Sequence, residues 1–175
     1  MEDSDRVPLV IAMQPKEIKI RRFQSTDARS VSRLFRRCLL EVNRKEYPAS
    51  VIDQMIRAFS PMGVVQRTKW LRCFVAVRGS RIVGTGGICI NKIYSVFVSP
   101  HLHGQGIGRV IVNFLESAAL RSGHKKILPG SSVNAEPFYR SLGYKRIKKY
   151  RDPLGGNVIE MVKSLGKKCS HKNFN

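Results

Sequence analysis

Hydrophobic residues recur at helical spacing in two long segments of the chain. In the first, apolar positions fall at i, i+3, i+4, i+7, i+8 and i+11, while arginines lie largely off this face. Residues 25–27, Ser-Thr-Asp, precede it with side chains that suit a helix N-cap. The pattern predicts two amphipathic helices. Their apolar faces consist of Val31, Leu34, Phe35, Cys38, Leu39 and Val42 in the first and Ile107, Val110, Ile111, Phe114, Leu115 and Ala118 in the second.

Alternating or continuous short apolar runs predict strands along much of the remaining chain. Gly79 and Ser80 separate two of these runs and suit a tight hairpin turn. A weaker helix is predicted from Ser50, ended by residues 61–63, and a brief one is predicted over residues 135–142. The predicted strands cover residues 17–22, 73–78, 81–90, 92–98, 125–128, 144–149 and 157–163.

The order of these elements predicts a mixed α/β fold. The strand over residues 92–98, the helix after it and the strand over residues 125–128 form one βαβ unit, so these two strands should be parallel. Ligands of such units commonly bind beyond the carboxyl ends of the strands. A chain of 175 residues suits one domain. We expect it over residues 17–165, between an N-terminal arm over residues 1–16 and a basic C-terminal tail over residues 166–175.

Composition narrows the class of protein. Lysine and arginine number 32 against 12 acidic residues, a formal net charge of +20, which favours an acidic ligand or surface. No apolar run approaches the roughly 20 residues of a membrane helix, and no basic segment precedes the first apolar run, so neither a membrane nor a secretory protein is expected. The four cysteines are scattered, which is typical of reduced thiols in the cytoplasm or, in a eukaryote, the nucleus.

A glycine-rich turn before the second long helix carries the most informative chemistry. Gly104, Gly106 and Gly108 lack a Cβ, so the turn can bend tightly and a ligand can approach the backbone. The first N–H groups of a helix have no intrahelical acceptor, and the helix dipole adds partial positive charge there. The turn therefore predicts an anion site suited to a pyrophosphate, with Arg109 as an additional cation. A glycine-rich turn without a ligand is the alternative.

Other familiar motifs do not fit this segment. The dinucleotide fingerprint GxGxxG, read from Gly104, would need glycine where Arg109 stands, and the P-loop GxxxxGK[ST] is absent. His101 and His103 form an H-x-H pair, but two ligands without a third are weak support for a metal site. We therefore expect no metal.

Two segments resemble the signatures of the GNAT acetyltransferases. Val-Ser-Pro at residues 98–100, followed by His-Gly-Gln-Gly-Ile-Gly-Arg at residues 103–109, resembles the family's acetyl-CoA-binding motif, [QR]xxGx[GA]. Residues 132–144 resemble its second signature, S-x-N-A-x-x-F-Y-x-x-x-G-[FY]. The motifs stand in the family's order, roughly 30 residues apart, and the resemblance covers residues 17–165. One position departs from the family, since His103 stands where Gln or Arg is usual.

The resemblance implies the GNAT fold, a mixed and mostly antiparallel sheet with one parallel strand–helix–strand unit and a splayed cleft for acetyl-CoA. Acetyl-CoA would be the co-substrate, and a primary amine would attack its thioester directly. Backbone groups of Phe97 and Val98 would bind the pantetheine arm and polarise the thioester carbonyl, and Asn134 would bind the arm from the other wall. Tyr139 would protonate the leaving thiolate as a general acid. The residues of the phosphate-binding turn would be His103, Gly104, Gln105, Gly106, Ile107, Gly108 and Arg109.

The general base is not identified by the resemblance. Many relatives carry a glutamate near the start of the fourth strand, where this chain has Asn91 and Lys92. A water chain is an equal alternative to a side chain. The carboxylates that could reach a cleft are Glu41, Glu46, Asp53 and Glu136.

The acceptor and further partners also stay open. The basic surface mildly favours an amine that carries a carboxylate, or the amine of an acidic protein segment, over a polyamine. The basic run over residues 145–151 leaves open a nucleic-acid-associated or acyl-CoA-binding protein on the same scaffold with little or no catalysis. A longer acyl group and a homodimer are also compatible with the sequence.

Overall fold

The computed structural model describes residues 18–151 and 156–166 of the chain. The expected N-terminal arm and all but the first residue of the expected tail lie outside these residues. The helices are α1 (Ala28–Glu41), α2 (Ala49–Ala58), α3 (Pro61–Arg67), α4 (Ile107–Arg121) and α5 (Glu136–Ser141). The strands are β1 (Ile18–Arg22), β2 (Arg72–Arg78), β3 (Arg81–Cys89), β4 (Lys92–Val98), β5 (Lys126–Ser131), β6 (Lys145–Arg151) and β7 (Asn157–Ser164).

The strands form one sheet in the order β1-β2-β3-β4-β5-β7-β6. All neighbouring pairs are antiparallel except β4 and β5, which are parallel and joined by α4. The parallel pairing follows from the crossover helix, because a strand that returns through a helix re-enters the sheet in the same direction. The structure thus confirms the predicted fold class.

The sheet opens between the two parallel strands. β4 pairs with β5 only through Lys92 with Leu128 and Ile93 with Pro129. Beyond these pairs β5 continues against β7, with Ser131 opposite Ile159. The remainder of β4 therefore presents a backbone edge that no strand covers within the described part of the chain.

A β-bulge in β4 lies at this opening. Phe97 pairs with Thr85 and Tyr94 pairs with Gly87, so β4 holds one residue more than β3 across the same interval. Ser95 has a φ of 55°, a left-handed conformation that is uncommon for a residue with a side chain. Such bulges bend a strand and re-aim its side chains and backbone groups. The bulge accordingly turns β4 away from β5 where the strands separate.

Two apolar clusters cover the two faces of the sheet. On one face α4 packs on the strands, and on the other α1, α2 and α3 do. Members of the first cluster include Ile93, Ile111, Leu115, Ile127, Tyr139 and Met161, and members of the second include Val31, Phe35, Leu39, Ile52, Phe59 and Val75.

The helix α4 approaches the sheet closely because β3 has glycine beneath it. A Cβ on Gly84 would stand 2.7 Å from the side chain of Ile111. A Cβ on Gly86 would stand 2.7 Å from Ile111 and 3.1 Å from Leu115. Side chains on β3 would therefore displace the helix, so these glycines fix its distance from the sheet.

The sequence analysis missed one helix. The second helix ends before residues 61–63, as expected, but a further helix, α3, begins at Pro61. Ser60 caps this new helix with an Oγ that accepts from the Gly63 N–H at 3.3 Å, and proline is favourable at the first helical position. No helix in the described part of the chain is both long and apolar enough to cross a membrane.

Candidate functional site

The glycine-rich turn begins α4 in the way the sequence predicted. Gly104 and Gly106 both have a φ of 78°, and a Cβ at either position would meet no atom within 4 Å. These glycines are therefore required by backbone conformation rather than by crowding. Gly106 is the N-cap residue of α4, so the turn leads directly into the helix.

The first amides of α4 are available to a ligand. The Val110 N–H donates to the Gly106 carbonyl at 3.1 Å. The N–H groups of Ile107, Gly108 and Arg109 precede this bond and have no backbone acceptor among the described residues. The first turn carries no acidic side chain that would occupy them, and Arg109 is exposed. This geometry can bind an anion such as a phosphate group.

Gly108 has a different role from the other two glycines. A Cβ at this position would stand 3.1 Å from the ring of Phe138 on α5. Phe138 belongs to the second signature and Gly108 to the first, so the two motifs meet directly in the fold. The contact joins the start of α4 to α5.

His103 and Cys38 hold the end of β4. The Ser99 N–H donates to Val83 on β3, so the Val98 carbonyl of the same trans peptide points away from β3. The Cys38 thiol donates to this carbonyl at 3.2 Å, and the His103 Nε2 lies 3.0 Å from it. Burial raises the pKa of Cys38 to about 12, which keeps the thiol protonated as a donor.

The His103 side chain thus links the glycine turn to β4 through the contact of its Nε2 with the Val98 carbonyl. A second hydrogen bond links the turn to β2, since the Gln105 Oε1 accepts from the Arg78 guanidinium at 3.0 Å. The sequence did not indicate either of these two interactions. Direct contacts of His103 and Gln105 with a cofactor stay predictions.

Tyr139 lies in the core cluster and is only 4% exposed. Its ring centroid is 5.1 Å from that of Phe138 and 5.3 Å from that of Tyr144. Burial raises the pKa of the Tyr139 phenol, so the group stays protonated at neutral pH. A protonated phenol is the form that a general acid needs, although the raised pKa makes it a weaker donor. Its catalytic role stays a prediction.

Glu46 reaches from the helical layer to the other wall of the site. It lies between α1 and α2, and its Oε1 accepts from the backbone N–H of Asn134 at 2.6 Å. The Glu46 Oε2 is buried and has no hydrogen-bond partner within the described residues. Burial raises the pKa of Glu46, and the Asn134 hydrogen bond partly opposes this effect. The side chain of Asn134 is exposed, and its contact with a cofactor is untested.

The other candidate carboxylates are engaged or exposed. Glu136 accepts from the Arg140 Nε at 2.9 Å and also binds Arg146, which lowers the pKa of Glu136 to about 2. Glu41 is exposed and lies 3.7 Å from the Arg37 Nε. Asp53 is exposed on α2. Among the four, only Glu46 has a buried oxygen that lacks a hydrogen-bond partner in the part of the chain that the structure describes.

A carboxylate from β7 stands near the start of β4. Glu160 lies 3.6 Å from the Lys92 Nζ and 3.5 Å from the Lys148 Nζ. The sequence indicated only that Asn91 and Lys92 stand where many relatives were expected to carry a glutamate. The pairing of β7 with β5 brings Glu160 to the same region. Because both its oxygens face ammonium groups, Glu160 is less available for proton removal than Glu46.

Arg67 is the second charged group that the sequence did not single out. Its guanidinium donates to the Ser95 Oγ, on the β4 bulge, at 3.2 Å. Phe59 and Trp70 lie beside it, with ring centroids 4.5 Å and 5.4 Å from its Cζ. On a short helix in a basic chain no sequence signal distinguishes this arginine, since the contact with Ser95 spans 28 positions.

The described residues contain no group of three or more His, Cys, Asp or Glu side chains that could hold a metal ion. Cys38, Cys73 and Cys89 form no disulfide bond among the described residues.

Residues 49–165 match the family described as the acetyltransferase (GNAT) domain. No curated protein sequence matches the chain. Among solved structures, a GCN5-related N-acetyltransferase from Rhodopseudomonas palustris is similar, with a TM-score of 0.78 at 19% identity over 84% of this chain and 95% of that one.

Two similar structures hold a ligand. The PaiA N-acetyltransferase from Thermoplasma acidophilum, in complex with coenzyme A, has a TM-score of 0.71 at 18% identity over 84% of this chain and 98% of that one. YncA from Salmonella typhimurium, with its cofactor acetyl-CoA, has a TM-score of 0.60 at 15% identity over 90% and 99%. The splayed parallel strands, the open amides of α4 and the match over residues 49–165 lead to one conclusion: the chain belongs to the GNAT family of acetyltransferases and is an acyltransferase.

Proposed function

We propose that the protein transfers an acetyl group from acetyl-CoA to a primary amine by direct attack of the amine on the thioester. The observation that carries this proposal is the opening between β4 and β5 beside the unpaired amides of α4. A ligand with a diphosphate at one end and a linear amide-containing arm matches these two features in order. The amides suit the diphosphate, and the uncovered edge of β4 suits the arm.

Each wall of the opening supplies a different contact in this proposal. The amides of Ile107, Gly108 and Arg109 bind the pyrophosphate. On β4 the backbone groups of Phe97 pair with Thr85 of β3. The Val98 carbonyl is held by Cys38 and His103. The Val98 N–H is directed away from β3 and is the group that polarises the thioester carbonyl and stabilises the charge that develops on its oxygen. Asn134 borders the arm from the opposite wall. Acetyl-CoA supplies the activated acyl group and the thiolate leaving group.

Two side chains handle protons. The amine nitrogen forms a bond to the acyl carbon, the C–S bond breaks, and the departing sulfur takes a proton from the Tyr139 hydroxyl. Glu46 accepts the proton that the attacking amine loses, through its unpartnered Oε2, directly or through water. The raised pKa of Glu46 makes it a better base than an exposed carboxylate. Glu46 then releases its proton to solvent, and a proton taken from solvent restores Tyr139.

Thiol release tests this proposal. Acetyl-CoA is mixed with the protein and a panel of amino acids, peptides and polyamines, and the CoA thiol is measured over time. Calorimetry measures acetyl-CoA binding separately. We expect binding, and release that depends on an amine. No heat on titration with acetyl-CoA and no thiol release with any amine would contradict the proposal. Propionyl-CoA in place of acetyl-CoA tests the acyl length.

A second candidate function rests on β6. Every residue of this edge strand is exposed, and five of its seven side chains are lysine or arginine. Such a strand suits a polyanion, so a nucleic-acid-binding protein on this scaffold is the competing proposal. Its affinity for nucleic acid should fall steeply with added salt and be insensitive to Gly108→Trp, which would obstruct the start of α4. Binding that vanishes together with acetyl-CoA binding would argue against it.

A further inference from the structure

We propose that Arg67 binds a carboxylate of the acceptor, so that the amine acetylated by this protein belongs to an amino acid or a similar carboxylate-bearing amine. This inference rests on the proposed acetyltransferase function and specifies its second substrate. It starts from the environment of one guanidinium.

Arg67 is a half-buried cation without a counter-charge. No carboxylate lies within ion-pair distance of it among the described residues, although most described carboxylates in this chain have a cationic partner. Its Nε is buried and has no hydrogen-bond partner in that part of the chain. Burial lowers the pKa of Arg67, which reflects the same unfavourable desolvation of the charge.

The aromatic rings of Phe59 and Trp70 pack against the Arg67 guanidinium but supply no negative charge to balance it. Phe59 is buried and Trp70 is 49% exposed, so the guanidinium lies between an apolar interior and an aromatic side chain open to solvent. A guanidinium has five N–H donors, and the Ser95 Oγ accepts only one of them. The buried Nε cannot reach a ligand. The remaining N–H donors of the two terminal nitrogens are therefore the ones available to a planar two-oxygen acceptor such as a carboxylate.

The position of Arg67 connects it to the acyl-transfer site. Ser95 is the bulge residue of β4, two positions after the last pair with β5. The guanidinium that bonds Ser95 is thus next to the strand segment that would hold the thioester. It also lies on the sheet face covered by α1, α2 and α3, opposite to α4. An amine that enters from this face, with Glu46 on the same side, would bring a carboxylate on a neighbouring carbon toward Arg67.

The charge of the whole chain favours the same class of substrate. A net charge of +20 repels polyamines and attracts molecules with an acidic group. Most lysine and arginine side chains among residues 18–151 and 156–166 are exposed, whereas Arg67 is half-buried beside β4. In this proposal Arg67 selects the carboxylate of the acceptor, whereas the exposed basic side chains only attract acidic molecules to the surface.

Trp70 offers a readout that does not need catalysis. It is the single tryptophan of the chain, and its ring lies 5.4 Å from the Arg67 guanidinium. We would titrate the CoA-bound protein with N-acetylglycine and N-acetyl-L-leucine, and with the amide of each, and follow tryptophan fluorescence. The acids should give a saturable change, and the amides should bind at least tenfold more weakly, since charge-assisted hydrogen bonds account for about a tenfold to hundredfold difference.

Three variants separate a specific site from a general charge effect. Arg67→Gln should abolish the preference for acids over amides. Arg67→Lys should keep only part of it, because an ammonium group lacks the planar guanidinium that donates two parallel hydrogen bonds to a carboxylate. Arg57→Gln removes an exposed arginine of α2 and should leave the preference intact. None of the three should change acetyl-CoA affinity, which also shows that the variants are folded.

The outcomes distinguish this inference from the acetyltransferase proposal. Equal binding of acids and amides, or an unchanged preference in Arg67→Gln, would overturn the role of Arg67. Thiol release with neutral amines and not with amino acids would overturn it as well and leave the acetyltransferase proposal standing. Selective binding of the acids without any thiol release would support the site and contradict the enzymatic step.

Discussion

The two ends of the proposed site are built from different parts of the chain. At the start of α4 the contacts offered to a ligand come from backbone amides, and the local sequence determines them through Gly104 and Gly106. On the opposite sheet face the contacts come from side chains, such as Glu46 and Arg67, whose neighbours are distant in sequence. A short motif can therefore specify the first end, whereas the second depends on how the whole domain folds.

This difference predicts that the largest effect on turnover comes from a side chain. Tyr139→Phe should lower kcat by about 10² or more, because a positioned general acid contributes 10²- to 10⁴-fold, and acetyl-CoA affinity should not change. The matched control is Tyr144→Phe, which removes a hydrogen bond to Glu116 of 2.8 Å in the same core. It should lower the melting temperature with little effect on kcat. Equal kcat for wild type and Tyr139→Phe would remove Tyr139 from the mechanism.

The second prediction concerns proton removal on the acceptor side. Glu46→Gln keeps an oxygen for the Asn134 N–H but cannot take a proton, so kcat/KM should fall about 10- to 100-fold. In the wild type, activity should fall with decreasing pH through a pKa above the usual glutamate value of 4.5, because burial raises it. The measurement is a pH profile of kcat/KM for the wild type, Glu46→Gln and the exposed control Glu41→Gln. An acidic limb that persists in Glu46→Gln would assign the base elsewhere.

The folding stability that depends on Glu46 should change with pH in the direction opposite to the activity. A carboxylate whose folded pKa is raised is less favourable in the folded state once ionised, so the folded protein gains stability as the pH falls through that pKa. At neutral pH Glu46→Gln should therefore melt no lower than the wild type. A large loss of stability would indicate a structural role.

The third prediction tests the end of the proposed site formed by the glycine turn and the backbone amides at the start of α4. Gly106→Ala and Gly123→Ala place a Cβ at φ values of 78° and 83°, at opposite ends of α4, with no neighbour within 4 Å in either case. Both should lower the free energy of unfolding by about 1–2 kcal/mol. Only Gly106→Ala should also weaken acetyl-CoA binding, by about tenfold on the scale of one lost charge-assisted hydrogen bond, as measured by calorimetry. Equal effects of both variants on binding would show that the turn does not hold the diphosphate.

The smallest effect on activity is expected at Glu136. This carboxylate binds Arg140 and Arg146, and its pKa is lowered to about 2. A lowered pKa adds stability above the unfolded value near 4.5, and this stability is lost as the pH falls from there toward 2. Glu136→Gln should lower the melting temperature at pH 7, reduce this acid sensitivity and leave kcat nearly unchanged. Thermal melts between pH 2 and 7 check it, and a pH dependence identical to that of the wild type would contradict it.

The sequence predicted the elements whose signals are local. The apolar stripe of α1, the hairpin turn at Gly79 and the limits of β4 all agree with the structure, because each depends on neighbouring residues alone. The start of α3 was missed because Pro61 both ends one helix and begins the next, and only the Ser60 cap distinguishes the two. The glycine turn before α4 was predictable for the same reason as the hairpin, and its binding of an anion stays a prediction.

The contacts on the proposed acceptor face were not predictable in the same way. The contact between Glu46 and Asn134 spans 88 positions, and the position of Glu160 near Lys92 depends on how β7 pairs with β5. The depth of Tyr139 also depends on tertiary packing, since its motif gives the residue type and not the burial. Sequence patterns thus narrowed the candidate bases to four carboxylates. Among these four, only Glu46 has a buried oxygen without a hydrogen-bond partner in the described residues, and its role as the base stays a prediction.

The glycines beneath α4 have a mechanical consequence. Because Ile111 and Leu115 rest on Gly84 and Gly86, one rigid contact sets the height of the helix above β3, and β3 in turn holds β4 through its ladder. In the proposed binding mode, one end of the ligand lies at the helix and the other along the strand, and one packed unit without an intervening hinge then sets the distance between them. A methyl group added to β3 would change that spacing and lower affinity from a position that never touches the ligand.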